Sequence, residues 1–340
     1  MADIFATLGP ACMEAETLSA MVQAGMTGLR LNLNHRQLKQ SLPQIEAARS
    51  AACCLHKPLK LLVDLQGQSL RIGLLPAPVQ LQAGETVIFG QNGIPVPKEI
   101  YDMAGPGSCF WLSDGRIRVR VDKKEAALLV CSVLQGGLLE SRKSIAPENT
   151  SVQLPALTAA DRECIATMRD TGVDAVMVPF ATERRQLTKI REALDTARCE
   201  GTKLWAKVEN RAGVENIKEW IDLADYVVIA RGDLGNAYPL EHIPVLQAEI
   251  GSLCRQKGKP FTVATGLMHS MLQSRTPTRA DVSDVFHAVT DGAEGVMLTD
   301  ETAVGAYPAE AVSFTARAVR EAELFCVNRA KTLSFEGKMY

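Results

Sequence analysis

The sequence predicts an α/β protein: a closed parallel (β/α)8 barrel with a small all-β domain inserted after the third strand. Three observations carry this. Eight short apolar runs recur along the 340 residues, each bounded by Gly, Pro or polar residues and nearly uninterrupted, as strands covered on both faces are. Segments of helical period lie between them. One interval, from the third run to a helix starting at Thr158, is far longer than the usual βα loop of about 2–6 residues and has a different composition.

The runs occupy residues 4–9, 28–34, 59–66, 174–180, 203–209, 226–231, 261–266 and 295–300. Repeated alternation of strand and helix favours a closed TIM barrel over an open doubly wound sheet. An open dinucleotide-binding sheet would also want Gly-x-Gly-x-x-Gly after its first strand, and Leu8-Gly9-Pro10-Ala11 is not that motif. Helical pattern is clear at residues 158–171, with Leu157, Ile165 and Met168 on one side, and at 308–328 after the last strand. In the long interval, Asn92-Gly93, Gly105-Pro106-Gly107, Asp114-Gly115 and Gly136-Gly137 mark turns between alternating runs at 85–89, 116–121 and 127–133. The expected division is a barrel from residues 1–73 and 153–340 and a β-barrel-like lid domain from 74–152. Linkers at Gly73 and Val152 would let such a lid close over a ligand and exclude water.

Lys plus Arg (37) nearly balances Asp plus Glu (39), for a formal net charge of −2. No electrostatic argument for a nucleic-acid or membrane partner follows. The nine cysteines are scattered without a Cys-x-x-Cys pair, which signals neither a zinc site nor a disulfide framework. No basic segment precedes a hydrophobic run at the N-terminus, and no run is long enough to span a bilayer. The expectation is a soluble, unprocessed, cytoplasmic protein.

Chemistry concentrates in residues 204–240. Lys207 and Glu209 lie two apart on a strand, so their side chains share a face. Asn210 is placed to cap a helix carrying Val214, Ile217 and Ile221. The next strand ends in Arg231-Gly232-Asp233-Leu234-Gly235. Glu209 and Asp233, at the ends of neighbouring parallel strands, could grip one hard divalent ion with Lys207 beside it. A strand-end charge taken alone is as readily a solvated rim residue; three beside a Gly-flanked turn favour a site. Other strand ends add Arg30, Asn32, Asn34, Asp64, Arg71, Thr265, Thr299, Asp300 and Glu301. Such a face suits a phosphorylated, carboxylated metabolite bound through magnesium.

Six stretches carry a closer likeness: Thr7-Leu8-Gly9-Pro10-Ala11, Leu29-Arg30-Leu31-Asn32, Ala206-Lys207-Val208-Glu209-Asn210, Ala230-Arg231-Gly232-Asp233-Leu234-Gly235, Pro277-Thr278-Arg279-Ala280 and Glu301-Thr302-Ala303. With these the chain resembles the pyruvate kinase family, from residue 4 to about residue 312. The resemblance implies transfer of a phosphoryl group from phosphoenolpyruvate to ADP, yielding pyruvate and ATP. It implies that Glu209 and Asp233 hold magnesium or manganese, that Lys207 neutralises the phosphoryl group in flight, and that Arg30 helps hold it. Peptide N–H groups around Gly232 and Asp233 would receive the substrate carboxylate, and Thr265 would stand near the enolate carbon. Asn32, Asn34 and Asp64 fall at the family's potassium site; Arg71 and Lys143, with Arg30, fall near the nucleotide phosphates.

Departures accompany the likeness. Asn34 replaces a serine, Leu65-Gln66-Gly67-Gln68-Ser69 replaces Thr-Lys-Gly-Pro-Glu, Gly266 replaces a glutamine and Val304 a lysine. The second of these removes a lysine and a carboxylate beside the monovalent ion and argues against potassium dependence. The chain ends soon after the last barrel helix begins, so the expectation is a truncated member without the family's C-terminal regulatory domain. Whether it forms a homo-oligomer stays open. Two other readings stay open as well: a magnesium-dependent lyase or decarboxylase passing through the same pyruvate enolate, and a non-catalytic paralogue.

Overall fold

The computed structural model describes residues 1–67, 70–113, 115–148 and 156–336. Gln68, Ser69, Asp114 and the expected linker residue Val152 lie outside the described residues. The chain forms two compact units, Met1–Gly67 with Leu157–Tyr340, and Gln68–Ala156.

The first unit is a closed barrel of eight parallel strands: Asp3–Thr7, Gly28–Asn32, Lys60–Asp64, Ala175–Val178, Lys203–Val208, Tyr226–Ala230, Phe261–Ala264 and Gly295–Leu298. Each pairs with its neighbours in chain order, and the eighth closes on the first through Asp3↔Gly295 to Ala6↔Leu298. Every expected run contains a strand. Each strand stops short of its apolar run because the last residues turn out into the βα loops.

Alternation along the strands sorts side chains into two layers. Phe5, Leu62, Met177, Trp205, Val228, Ala264 and Met297 point inward and pack together. Ile4, Val63, Val176, Leu204, Val227, Val263 and Val296 point outward into the core shared with the helices. The Phe5 ring meets Trp205 edge-on at 5.2 Å between ring centres, and Trp205 stacks on Tyr226 at 3.9 Å. Gly28 and Gly295 make room for Phe5: a Cβ on either would lie 2.5 or 2.7 Å from its ring. Fully burying each of these large inward residues contributes about 1.5–3 kcal/mol.

The helices start where the residue chemistry asks. Thr158 accepts the Asp161 N–H to open Ala159–Met168, and Thr278 does the same with Asp281 for Arg279–Thr290. Asn210 caps Arg211–Glu215 by accepting the Gly213 N–H at 2.7 Å. Asp161 has a second task, accepting the Gln66 and Gly67 N–H groups at 2.7 and 3.1 Å and thereby fixing the exit of the third strand. No helix among the described residues is long and apolar enough to cross a membrane.

The seam between the first and eighth strands is tight. Thr302 Oγ1 accepts the Thr7 N–H at 2.9 Å and donates to the Thr7 carbonyl at 3.1 Å. A Cβ on Gly9 would lie 2.5 Å from the Ala303 carbonyl oxygen and 2.6 Å from its Cα, in the helix Asp300–Ala303. Backbone cannot yield as a side chain can. Gly9→Ala is therefore expected to cost about 1–3 kcal/mol, seen as a lower urea midpoint with unchanged m-value; an unshifted midpoint would contradict this packing.

The second unit is built on a five-stranded antiparallel sheet in the order Ile145–Pro147, Cys109–Leu112, Ile117–Glu125, Leu128–Gln135 and Thr86–Gly90. A two-stranded sheet pairs Val79–Leu81 with Gly137–Leu139. The unit has its own core, including Phe89, Ile100, Phe110, Val119 and Leu129. The three runs read from the sequence fall in the three longest of these strands; the four short strands have too few residues to show an alternating pattern.

Candidate active site

The inward register that fills the barrel continues upward into charge. Two residues beyond Phe5, Leu62 and Trp205 on the same face stand Thr7, Asp64 and Lys207, and two beyond Gly28 stands Arg30. These four occupy the C-terminal end of the barrel, where active sites of this fold form. They are buried, as is Glu209 one residue past its strand: Thr7 is 5% exposed, Arg30 8%, Asp64 2%, Lys207 9% and Glu209 2%.

The buried charges form a connected chain. Arg30 donates from Nε and Nη2 to Asp64 Oδ2 at 3.1 and 2.5 Å. Its Nη1 donates to Thr7 Oγ1 at 2.9 Å, and that hydroxyl donates onward to the Leu298 carbonyl at 2.9 Å. Lys207 Nζ lies 3.1 and 3.3 Å from the two oxygens of Asp64 and 2.7 Å from Glu209 Oε1. The other Glu209 oxygen accepts the Phe180 N–H at 2.8 Å. Two cations and two carboxylates thus balance, with Asp64 bridging both cations.

Burial disfavours the charged forms of Asp64 and Lys207. For Asp64 burial works against the charge, but the Lys207 and Arg30 cations together outweigh it and hold the carboxyl below its ordinary value. For Lys207 burial likewise opposes the charge, and Asp64 and Glu209 overcome it, holding the amine above its ordinary value. Lys207 is a fixed cation, unsuited to acting as a base near neutrality.

The other expected residues lie as follows. Gly232 and Asp233 sit in the first turn of helix Arg231–Ala237, directly after the sixth strand, which neighbours the strand of Lys207. Thr265 follows the seventh strand with φ of +78°, in the left-handed region. Asn32 Oδ1 accepts the Asn34 N–H at 3.0 Å, a local turn at the second strand's exit. Arg71 and Lys143 belong to the inserted unit: Arg71 Nη1 donates to the Arg142 carbonyl at 3.0 Å, and Lys143 pairs with Glu140 at 3.3 Å on the surface.

Sequence reasoning gave no role to Thr7, although its inward register with Phe5 was a usable signal. It also missed the Phe180 N–H and the Arg231–Asp284 pair, whose partners are 53 residues apart.

Hard-metal chemistry suits this rim. Magnesium commonly takes one or two carboxylates and completes its shell with water and substrate oxygens. Glu209 keeps lone pairs beyond its two contacts, and Asp233 stands at the adjacent strand end, so the donor set fits. Among the described residues no group of three or more His, Cys, Asp or Glu side chains gathers as a metal cluster. Potassium fits less well, since both oxygens of Asp64 already face Arg30 or Lys207 and a third cation there would be repelled.

A closed barrel whose strand ends hold two buried cations braced by carboxylates has its charge gathered where barrel enzymes of this fold keep their active sites. The sequence matches the family described as "Pyruvate kinase, barrel domain" over residues 1–312. It is 37% identical over 336 residues to a pyruvate kinase of Agrobacterium vitis, covering 94% of this chain and 68% of that protein. Pyruvate kinases of Clostridium acetobutylicum and Thermococcus litoralis are 32% and 34% identical, covering 93% and 94% of this chain and 69% of each relative. The chain belongs to the pyruvate kinase family.

Proposed function

We propose that this protein transfers the phosphoryl group of phosphoenolpyruvate to ADP, forming pyruvate and ATP, with magnesium. The observation that carries this reading is the buried chain Arg30–Asp64–Lys207–Glu209 at the barrel mouth. In such a transfer the bond between phosphorus and the enol oxygen breaks as the terminal oxygen of ADP bonds to phosphorus, and negative charge spreads over the equatorial oxygens. The protein supplies position and charge compensation rather than covalent chemistry.

Lys207 and Arg30 are the groups proposed to meet that charge. Because Asp64 holds both, and Thr7 holds the second arm of Arg30, little reorganisation is needed when the charge moves. Glu209 and Asp233 would hold the magnesium ion, which when bound supplies further positive charge to the phosphoryl and enolate oxygens. Thr265 is proposed to stand beside the position where the enolate carbon must take up a proton. Arg71 and Lys143 on the inserted unit are proposed to meet the nucleotide phosphates.

A steady-state screen of phosphoenolpyruvate against several nucleoside diphosphates, with and without magnesium and potassium, tests this. The expected result is pyruvate formation that requires both diphosphate and magnesium. Folded protein making no pyruvate with any diphosphate, or releasing pyruvate from a 2-oxo acid without nucleotide, would contradict it. Asp233→Asn is expected to raise the magnesium concentration for half-maximal rate by at least the 10–100-fold typical of disturbing a metal's outer shell. An unchanged magnesium requirement would remove Asp233 from the site.

A further inference from the structure

Thr265 has a backbone conformation that a β-branched residue rarely adopts, with φ of +78°, followed by Gly266 at +72°. Such strain persists only where surrounding contacts over-determine it. Those contacts come from Arg231. Its Nη2 and Nε donate to the Thr265 carbonyl at 2.8 and 3.3 Å. The same guanidinium is itself fixed by Asp284, with Nη1 and Nη2 each 2.6 Å from a separate carboxylate oxygen. Gln247 Oε1 accepts a longer bond from Nη1 at 3.4 Å. The Arg231 side chain is largely buried, so this geometry is held away from bulk water.

The next residue packs on the Thr265 side chain. A Cβ on Gly232 would lie 2.9 Å from Thr265 Cγ2, so only glycine lets the turn after the sixth strand approach so closely. Arg231 and Gly232 therefore grip Thr265 from both ends, carbonyl and methyl, and the same short turn carries Asp233. The Arg231 guanidinium is taken up by Asp284 and the Thr265 carbonyl.

We propose that Arg231 and Asp284 are positioning residues that hold Thr265 in its strained conformation and so place its hydroxyl at the enolate carbon. This rests on the functional reading above and adds to it the device that orients the proton-transfer side of the site. Misplacement of a reacting group by an ångström can cost about 10²-fold in rate. Asp284→Asn, which keeps shape but loses the paired charge, and Arg231→Lys, which loses the fork, are both expected to lower kcat by about that factor. The KM for phosphoenolpyruvate should change much less than kcat, because Lys207 and Arg30 are untouched.

The test uses three readouts on the full chain with magnesium. Exchange of pyruvate methyl hydrogens with solvent deuterium, followed by NMR, reports protonation at carbon without net phosphoryl transfer. It should slow at least as much as kcat in both variants. In a Thr265→Ala background, Asp284→Asn should add less than a twofold further loss, as expected for residues acting through one another. The Thr265 methyl signal, assigned by its loss in Thr265→Ala, should shift or broaden in Asp284→Asn whatever the activity. Wild-type exchange and turnover in Asp284→Asn, a full independent loss in the Thr265→Ala background, or an unmoved Thr265 methyl signal would each overturn the proposal. Wild-type protein with no turnover or exchange would instead overturn the functional reading, and the methyl signal would then judge the bracket alone.

Discussion

Replacing Lys207 with methionine is expected to lower kcat for pyruvate formation by about 10³-fold or more, the scale on which a cation facing a transferring phosphoryl group acts. The side chain is nearly isosteric, so what is lost is the charge. Glu209 then loses its cation at 2.7 Å and keeps the Phe180 N–H, while Asp64 keeps Arg30. Removing one member of a buried pair costs about 3–5 kcal/mol, and the retained partners place this variant toward the low end. Steady-state kinetics alongside circular dichroism separates the two effects. A folded Lys207→Met protein with kcat within tenfold of wild type would show that the ammonium does not compensate transition-state charge. Lys207→Arg should fall between, since a planar fork cannot reproduce a compact ammonium between two carboxylates.

Asp64→Asn is expected to damage both stability and turnover. Asp64 touches no substrate in this account; it holds Arg30 and Lys207 side by side. Without its charge the two cations face one another with only Glu209 to offset them, at a cost of about 3–5 kcal/mol. Turnover should fall by about 10²-fold, as for misplaced catalytic groups. The pH dependence gives the sign. Asp64 is held below its ordinary value in the fold, so its contribution to stability is present above the unfolded value of about 3.9 and is lost as pH falls through the folded value. Lys207 is held above its ordinary value, so its contribution is present below the unfolded value of about 10.4 and is lost as pH rises through the folded one. Denaturant titrations across pH should show the gap between wild type and Asp64→Asn closing on the acid side. The gap to Lys207→Met should close on the alkaline side. A gap independent of pH would contradict the ion-pair account.

Much of the barrel was legible because strands covered on both faces must be continuously apolar, and eight such runs separated by helical segments admit few architectures. Lys207 and Glu209 were legible as neighbours because a two-residue spacing puts them on one face, and they meet at 2.7 Å. The contacts of Asp64 were not legible. Likeness offered it as a potassium ligand, and only the folded chain shows it between Arg30 and Lys207, residues drawn from two other strands. Strand register decides that contact: Asn32 aligns with Asp64 and Thr7 with Arg30. Register follows from barrel closure and cannot be read from one run. The Arg231–Asp284 bracket was hidden for the same reason, since helix Arg279–Thr290 brings Asp284 to Arg231 only once the barrel has formed.

The central claim is that the buried cations at the barrel mouth carry a phosphoryl group between an enol oxygen and a nucleotide. Phosphorus NMR of phosphoenolpyruvate and ADP with magnesium, run in parallel on wild type and Lys207→Met, measures this directly. The expected result is loss of the phosphoenolpyruvate resonance matched by growth of the three ATP resonances in wild type, and neither in the variant. Growth of inorganic phosphate in place of ATP, or equal transfer by the two proteins, would contradict it.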